Sequence, residues 1–303
     1  MFDVLVAGEI NPDLILTGDI VPEFGQVEKL VDSAVLAIGS SSAIFACGAA
    51  RLGLKVGFIG VCGDDVFGRF MLDEMSKRNV DVGNVIVHPN GFTGLSVILA
   101  RGADRAILTH PGLIAELQAS DISDALLRRS RHLHVASYFL QTKLQPDLPT
   151  LFRRAHSLRL TTSLDTNYDP SEKWIGFDDL LSVTDVFLPN QTEALSITKS
   201  PDVESASKQL ARKAELVAIK LGAEGALACS HMSISKSASI SVNVIDTVGA
   251  GDSFDAGFMY GYLNQWSVEE SLRLACVCGA LSTQQAGGTN GQPTLEDAMN
   301  HVS

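Results

Sequence analysis

Six short apolar or β-branched runs alternate with helix-length segments along this chain: DVLVAG (3–8), VGFIGV (56–61), HLHVAS (132–137), LTTSLD (160–165), DVFLPN (185–190) and LVAIKLG (216–222). That rhythm predicts an α/β fold in which a mainly parallel sheet is covered by helices on both faces. Between the runs, SSAIFACGAARLG (41–53), DVFGRFMLDEMSKRN (65–79), PDVESASKQLARKA (201–214) and VEESLRLACVCGALSTQQA (268–286) space their apolar residues as a helix does. Each is expected to bury one stripe against the sheet.

Two stretches break the rhythm. LILTGDIVPEFGQVEKLVDSAVLAIG (14–39) and TGLSVILARGADRAILTHPG (93–112) alternate apolar and polar residues around Gly-Asp or Gly-Ala-Asp turns, as antiparallel hairpins with one solvated face do. They predict a small β lid, about 14–37 and 93–110, on a single domain spanning 1–303. No internal repeat, low-complexity tract or Pro/Gly/Ser linker divides the chain, and 46% hydrophobic residues supply one sizeable core. Such hairpins otherwise expose open β edges, which a homodimer through the lid would cover.

Charge and cysteine usage limit the partners. Against 35 acidic residues stand 23 basic ones, a formal net charge of −12, which disfavours a general nucleic-acid or anionic-membrane surface but leaves room for a local basic pocket. The five cysteines form no C-x-x-C pair, and the first residues, MFDVLVAGEINPD, lack the basic-then-apolar layout of a signal peptide. No apolar run reaches the roughly 18 to 20 residues a membrane span requires. The expectation is a soluble protein of the reducing cytoplasm.

The most informative short stretch is DTVGAGDSFDAGF (246–258). Val242 to Ile245 reads as an extended segment, and Phe254, Phe258 and Tyr262 then recur every fourth residue, so a helix should begin near Gly249 to Asp252. A helix N-terminus presents unpaired amides and a positive dipole end, and glycines admit a ligand close to that backbone. Gly249, Ala250 and Gly251 are therefore a candidate anion hole. Asp252 has two readings: a charge complementing the helix dipole, worth about 0.3 to 1 kcal/mol, or a general base beside a transferring phosphoryl group. Asp246 caps the turn or holds a cation, Asp255 faces solvent or caps locally, and Gly257 and Gly261 mark close helix packing. Neither G-x-x-x-x-G-K-[ST] nor G-x-G-x-x-G is present, so P-loop and dinucleotide cradles are disfavoured.

With these residues in view, the chain resembles the ribokinase-like (PfkB) family of carbohydrate and nucleoside kinases over nearly its full length. DTVGAGDSFDAGF is similar to that family's C-terminal signature, and GSSSAIFACGAARLGLKVGFIGVCGDDVFG (39–68) to its N-terminal one. The resemblance implies a three-layer sandwich with a β lid, transferring phosphate from ATP to a hydroxymethyl group. It implies Asp252 as catalytic base, the Gly249, Ala250 and Gly251 amides as anion hole, and Asn11, Asp13, Gly39 and Ser40 at the acceptor. From PNQTEA it implies Asn190 near the phosphates and Glu193 in the water network of Mg²⁺; from SLDTNYDP, Asp165 and Asn167 at the active site. Lys220, Gly222, Glu224, Gly225, Cys276 and Gly279 would lie beside the nucleotide. As the family often uses a monovalent cation such as K⁺, Asp246 and the loop AGGTNGQPT (286–294) would hold it.

The chain departs from the family pattern at two places. Ile44 stands where a sugar-binding Asn is common, so one hydroxyl contact is lost unless Ser40, Ser41 or Ser42 replaces it. Asp169 stands where some members carry Arg, which makes an acidic sugar less expected and leaves Arg101 and Arg105 of the second hairpin to meet any charged acceptor. The main reading is an ATP-dependent sugar kinase. Its rivals are a nucleoside kinase, marked by an apolar, aromatic-lined pocket and mildly favoured by Ile44 and Phe45, and a catalytically weak sugar or nucleotide sensor. His132 and His134 read as core histidines, and Cys276 and Cys278 as unpaired thiols.

Overall fold

The computed structural model describes residues 1–101, 104–176 and 178–302. Nine strands form the large sheet, in spatial order Ser233–Ser237, Ala226–Ser230, Leu216–Lys220, Val186–Phe187, Thr161–Leu164, Ser130–Val135, Phe2–Ala7, Val56–Ile59 and Val80–Asp81. The seven from Leu216–Lys220 to Val80–Asp81 pair in parallel. The last two at the other edge, Ala226–Ser230 and Ser233–Ser237, are antiparallel.

Alternate side chains of the parallel strands feed two separate cores. Val4 and Val6 pack with Phe45, Phe58 and Phe258 on one face; Leu5 and Ala7 pack with Phe152, Leu133 and Phe187 on the other. A sheet buried on both faces needs helices on both, which is the three-layer arrangement. The predicted helices appear as Ser41–Arg51, Val66–Lys77, Val203–Leu210 and Val268–Ser282. Local chemistry sets their starts: Ser40 accepts from the Ala43 amide, Asp65 from Gly68 and Ser267 from Glu270. The Ala250–Leu263 helix lies against Val268–Ser282, where a Cβ on Gly257 would come within 2.9 Å of the Ala275 Cα and one on Gly261 within 2.4 Å of Ser271 Oγ.

A second sheet of four strands, in the order Val31–Ile38, Pro12–Gly18, Leu95–Arg101 and Asp104–His110, is made by the two predicted hairpins. Each hairpin is antiparallel, and the two join through a parallel pairing of Pro12–Gly18 with Leu95–Arg101. The Gly102-Ala103 turn lies outside the described residues.

The segment Val242 to Ile245 is not the strand its composition suggested. It forms no ladder, and Val244 and Ile245 are exposed beside a cavity. His132 and His134 are buried in the sheet, joined through Ser163 at 2.7 Å each. Burial holds both imidazoles below their ordinary range, and His134 stacks on Phe45 at 3.7 Å between ring centroids. All five cysteines are free and buried, and no helix among the described residues is long and apolar enough to cross a membrane.

Candidate active site

The chain order of the parallel strands runs outward in opposite directions from Phe2–Ala7 and Ser130–Val135. At such a switch point, loops leaving the carboxyl ends of neighbouring strands diverge and open a crevice. Glu9 and Asn11 follow Phe2–Ala7, Ser137 follows Ser130–Val135, Asp165 and Asn167 follow Thr161–Leu164, and Asn190 follows Val186–Phe187; Lys220 ends its own strand. These residues, with Asp13, Ser40, Ser41, Glu193 and Asp252, line one cavity of about 500 Å³.

Asp252 stands in the first turn of Ala250–Leu263, which begins after Gly249 at a φ of 72°. A Cβ on Gly249 would come within 2.7 Å of the Gly288 carbonyl and 2.9 Å of Ile44, so a bare α-carbon is required twice over. Asp252 is buried, and burial first, then the charge of Asp165, pushes its carboxyl up to about 8 against the pull of Lys220 and a hydrogen bond with Ser41. A carboxyl tuned into that range can take and return a proton near neutral pH.

Asn11 donates to Ser96 at 3.3 Å, and Asp13 reaches the same cavity from the small sheet. Burial pushes the Asp13 carboxyl up to about 7, eased by the nearby charge of Arg105 and worsened by that of Asp246. Gly39 makes room for it: a Cβ there would sit 2.2 Å from Asp13 Oδ1. Arg105 lines the cavity as well, whereas Arg101 is exposed at the far end of its strand.

The three serines after Gly39 do not all face the cavity as free hydroxyls. Ser40 donates to the Glu9 carbonyl at 2.6 Å, and Ser42 to Glu9 Oε2 at the same distance. Ser137 adds a third hydroxyl on Glu9 at 2.8 Å. Ser41 instead accepts from Asn167 Nδ2 at 2.6 Å. Ile44 therefore keeps its apolar character, with Ile98, Ile107 and Ile114 around the same cavity.

A second cavity, about 540 Å³, lies across the turn from the first and is lined by Gly222, Gly225, Val242, Val244, Phe254, Cys276 and Gly279 among others. Lys220, Gly222, Thr247 and Gly251 border both spaces, so the amides of 249–251 stand where the two meet. Of the residues expected at the nucleotide, Glu224 is misplaced: it is exposed and lines a separate groove with Gln191, Asp202 and Lys236. The tight Gly222–Glu224 turn carries its side chain outward, away from Gly222 and Gly225. Asn190 lines the first cavity and forms a capping box with Glu193, whose buried carboxyl is pushed up to about 7 by burial and by Asp165.

Asp255 corrects another expectation, for it is fully buried. Lys220 Nζ donates to both of its oxygens at 3.1 and 3.0 Å and to Asp165 Oδ2 at 2.8 Å. The helical spacing of three from Asp252 turns it inward beneath the strand ends. Asp246 accepts from the amides of Val248 at 3.0 Å and Gly287 at 2.8 Å, tying its turn to the 286–294 loop. Glu9, Ser41 and Ser137 were missed by the sequence reading. Their only early signal is position at a strand end or helix start.

Known proteins bear on this geometry. The family model described as pfkB family carbohydrate kinase matches residues 1–295. An uncharacterized sugar kinase of Archaeoglobus fulgidus is 30% identical over 253 residues, covering 82% of this chain and 100% of the relative. The ribokinase of Haemophilus influenzae is 28% identical over 306 residues, covering 97% and 96%. Arabidopsis thaliana ribokinase complexed with ribose and ATP shares the fold at a TM-score of 0.85 and 21% identity, with 100% of this chain and 99% of that one covered. A family match that takes in both sheets, both cavities and the turn bearing Asp252 leaves one assignment: the chain belongs to the pfkB family of carbohydrate kinases.

Proposed function

We propose that the protein transfers the γ-phosphoryl group of ATP to a hydroxymethyl group of a small sugar or sugar-like acceptor, with Asp252 as general base. The observation that carries this reading is the placing of Asp252 and the 249–251 turn at the border of two cavities. An acceptor in the first cavity would give its hydroxyl proton to Asp252. Its oxygen would form the new bond to phosphorus as the bond to the β-phosphate oxygen breaks, and ADP would leave. The amides of Gly249, Ala250 and Gly251 would take the charge on the phosphoryl oxygens, a contribution of about 3 kcal/mol per well-placed donor.

Asn11 and Asp13 would hold the acceptor hydroxyls, and the small sheet would act as a lid that excludes water. Glu193, buried with its carboxyl on the cavity, suits a hydrated Mg²⁺, which when bound supplies neutralising charge to the phosphates. Asp246 and the 286–294 loop support a K⁺ site. Phe24, Leu30, Val35, Ile107 and Leu108 on the small sheet and its loop are exposed, which supports a homodimer through the lid. The free thiols support residence in a reducing cytoplasm.

Ile44 and the commitment of Ser40 and Ser42 to Glu9 favour an acceptor with an apolar or deoxy edge there. The nucleoside reading called for aromatic lining, and no aromatic residue borders this cavity among the described residues; Phe45 belongs to the core. The deciding experiment is an ATP-consumption screen over pentoses, hexoses, keto-deoxy sugar acids and nucleosides, with and without K⁺. ATP binding with no turnover on any acceptor would establish the sensor reading instead.

The nucleotide cavity has its own test. Ala280 borders it on the Val268–Ser282 helix, so Ala280→Phe should raise KM for ATP about tenfold or more by filling space, leaving acceptor KM within about threefold. An unchanged ATP KM would remove the nucleotide from this cavity.

A further inference from the structure

Lys220 was expected to meet a phosphate, yet its bonds are already spent. An ammonium has three N–H donors, and Nζ makes three contacts, one to Asp165 and two to Asp255, at 2.8, 3.1 and 3.0 Å. The three side chains come from three separate elements: the end of Leu216–Lys220, the loop after Thr161–Leu164 and the Ala250–Leu263 helix. The lysine stem also passes beneath the anion-hole turn, since a Cβ on Gly251 would lie 3.6 to 3.9 Å from its Cδ, Nζ and Cε.

Around this ammonium the acids are crowded. One oxygen each of Asp165, Asp252 and Asp255 lies within 4.8 Å of the others. Glu193 interacts with Lys220 as well, and Glu9 adds its charge near Asp252. Carboxylates so close cannot all ionise without a counter-charge. We propose that Lys220 is a positioning residue, an internal counter-ion that keeps Asp252 in its proton-accepting form and anchors the Asp252 helix under the anion hole, and that it is not a ligand of the nucleotide.

The electrostatic directions agree with that geometry. Burial would raise Asp165, but the Lys220 charge and the hydrogen bonds around it hold its carboxyl below the ordinary range. Asp255, hydrogen-bonded to Asp165, is pushed well above it, so the pair shares one proton and one ammonium. His134, facing Asp165 and Lys220, is held neutral by burial. Lys220 is the one charged group that favours ionised Asp252 among those acting on it, namely Asp165, Glu9 and Lys220 itself.

The inference rests on Asp252 being the base, and its test separates the two. Lys220→Met, Lys220→Arg and the double variant Lys220→Met/Asp165→Asn are compared with the parent for the pH dependence of acceptor kcat/KM and for the Kd of ATP by calorimetry. Lys220→Met should move the acid limb upward by about one pH unit or more, a roughly tenfold loss of activity on that limb, with the ATP Kd within about threefold. Lys220→Arg should restore the limb. The double variant, which removes a charge of each sign, should return the limb toward the parent position. An unmoved limb in Lys220→Met overturns the proposal, as does a tenfold weaker ATP Kd in either Met variant. If Lys220→Met does not fold, the double variant, with no unpaired buried charge, carries the ATP test. A near-fully active Asp252→Asn enzyme would instead remove the base itself, whatever the lysine variants do.

Discussion

Asp252→Asn should lower kcat by about a hundredfold to ten-thousandfold, the range that a positioned general base supplies, without unfolding the protein. Asparagine keeps the size of the side chain and leaves the 249–251 amides in place, so the residual rate reports the anion hole alone. It forfeits the dipole term of a first-turn acid, about 0.3 to 1 kcal/mol. Against that small loss stands a gain whose sign follows from the folded carboxyl lying near 8, above its ordinary 3.8. A proton held more tightly by the folded state stabilises it below pH 3.8, and that contribution is lost as the pH rises through about 8. Above pH 8 the parent therefore carries a buried charge that the Asn variant lacks. Melting curves at pH 6 and pH 9 should show the parent losing more stability between the two than Asp252→Asn does. Steady-state turnover within a few-fold of the parent would end the assignment of Asp252 as base.

What the sequence disclosed follows from what is written locally. Strand runs such as DVLVAG and the glycine turn before Asp252 are local signals, and the large sheet, the two hairpins and the helix start lie where they point. Val242 to Ile245 failed because β-branched composition cannot tell a ladder strand from a cavity wall; the difference is whether a neighbouring strand is free to pair. Asp255 failed for a related reason. A lone acid in a helix reads as solvent-facing until a lysine 35 residues away is known to lie beneath it. Glu9 carries no motif of its own, and its burial is made tolerable by hydroxyls at 40, 42 and 137 that only the fold assembles. The Ile44 substitution was legible at once, but its consequence was not. Whether a serine could replace the missing amide depended on where three adjacent hydroxyls point, and two are held by Glu9.

Asp13→Ala should cut acceptor kcat/KM by about a hundredfold or more while leaving the ATP Kd within about threefold. Asp13 sits on Pro12–Gly18, so the same side chain links the small sheet to the acceptor cavity. A carboxylate accepting from two sugar hydroxyls gains about 1.5 to 3 kcal/mol for each charge-assisted bond, and truncation also leaves those hydroxyls unpaired in a site closed to water. The nucleotide cavity is separated from Asp13 by the 249–251 turn, which is why ATP binding should be spared. The pH dependence gives an independent signature. Because burial lifts the Asp13 carboxyl to about 7, acceptor KM in the parent should rise as the pH falls below 7, and this rise should vanish in Asp13→Ala. Gly39→Ala should reproduce part of the loss with Asp13 intact, since its methyl would contact Oδ1 at 2.2 Å and force the carboxylate aside. If Asp13→Ala keeps acceptor kcat/KM within threefold, the acceptor does not bind through the small sheet, and closure of that sheet cannot be what excludes water from the phosphoryl group.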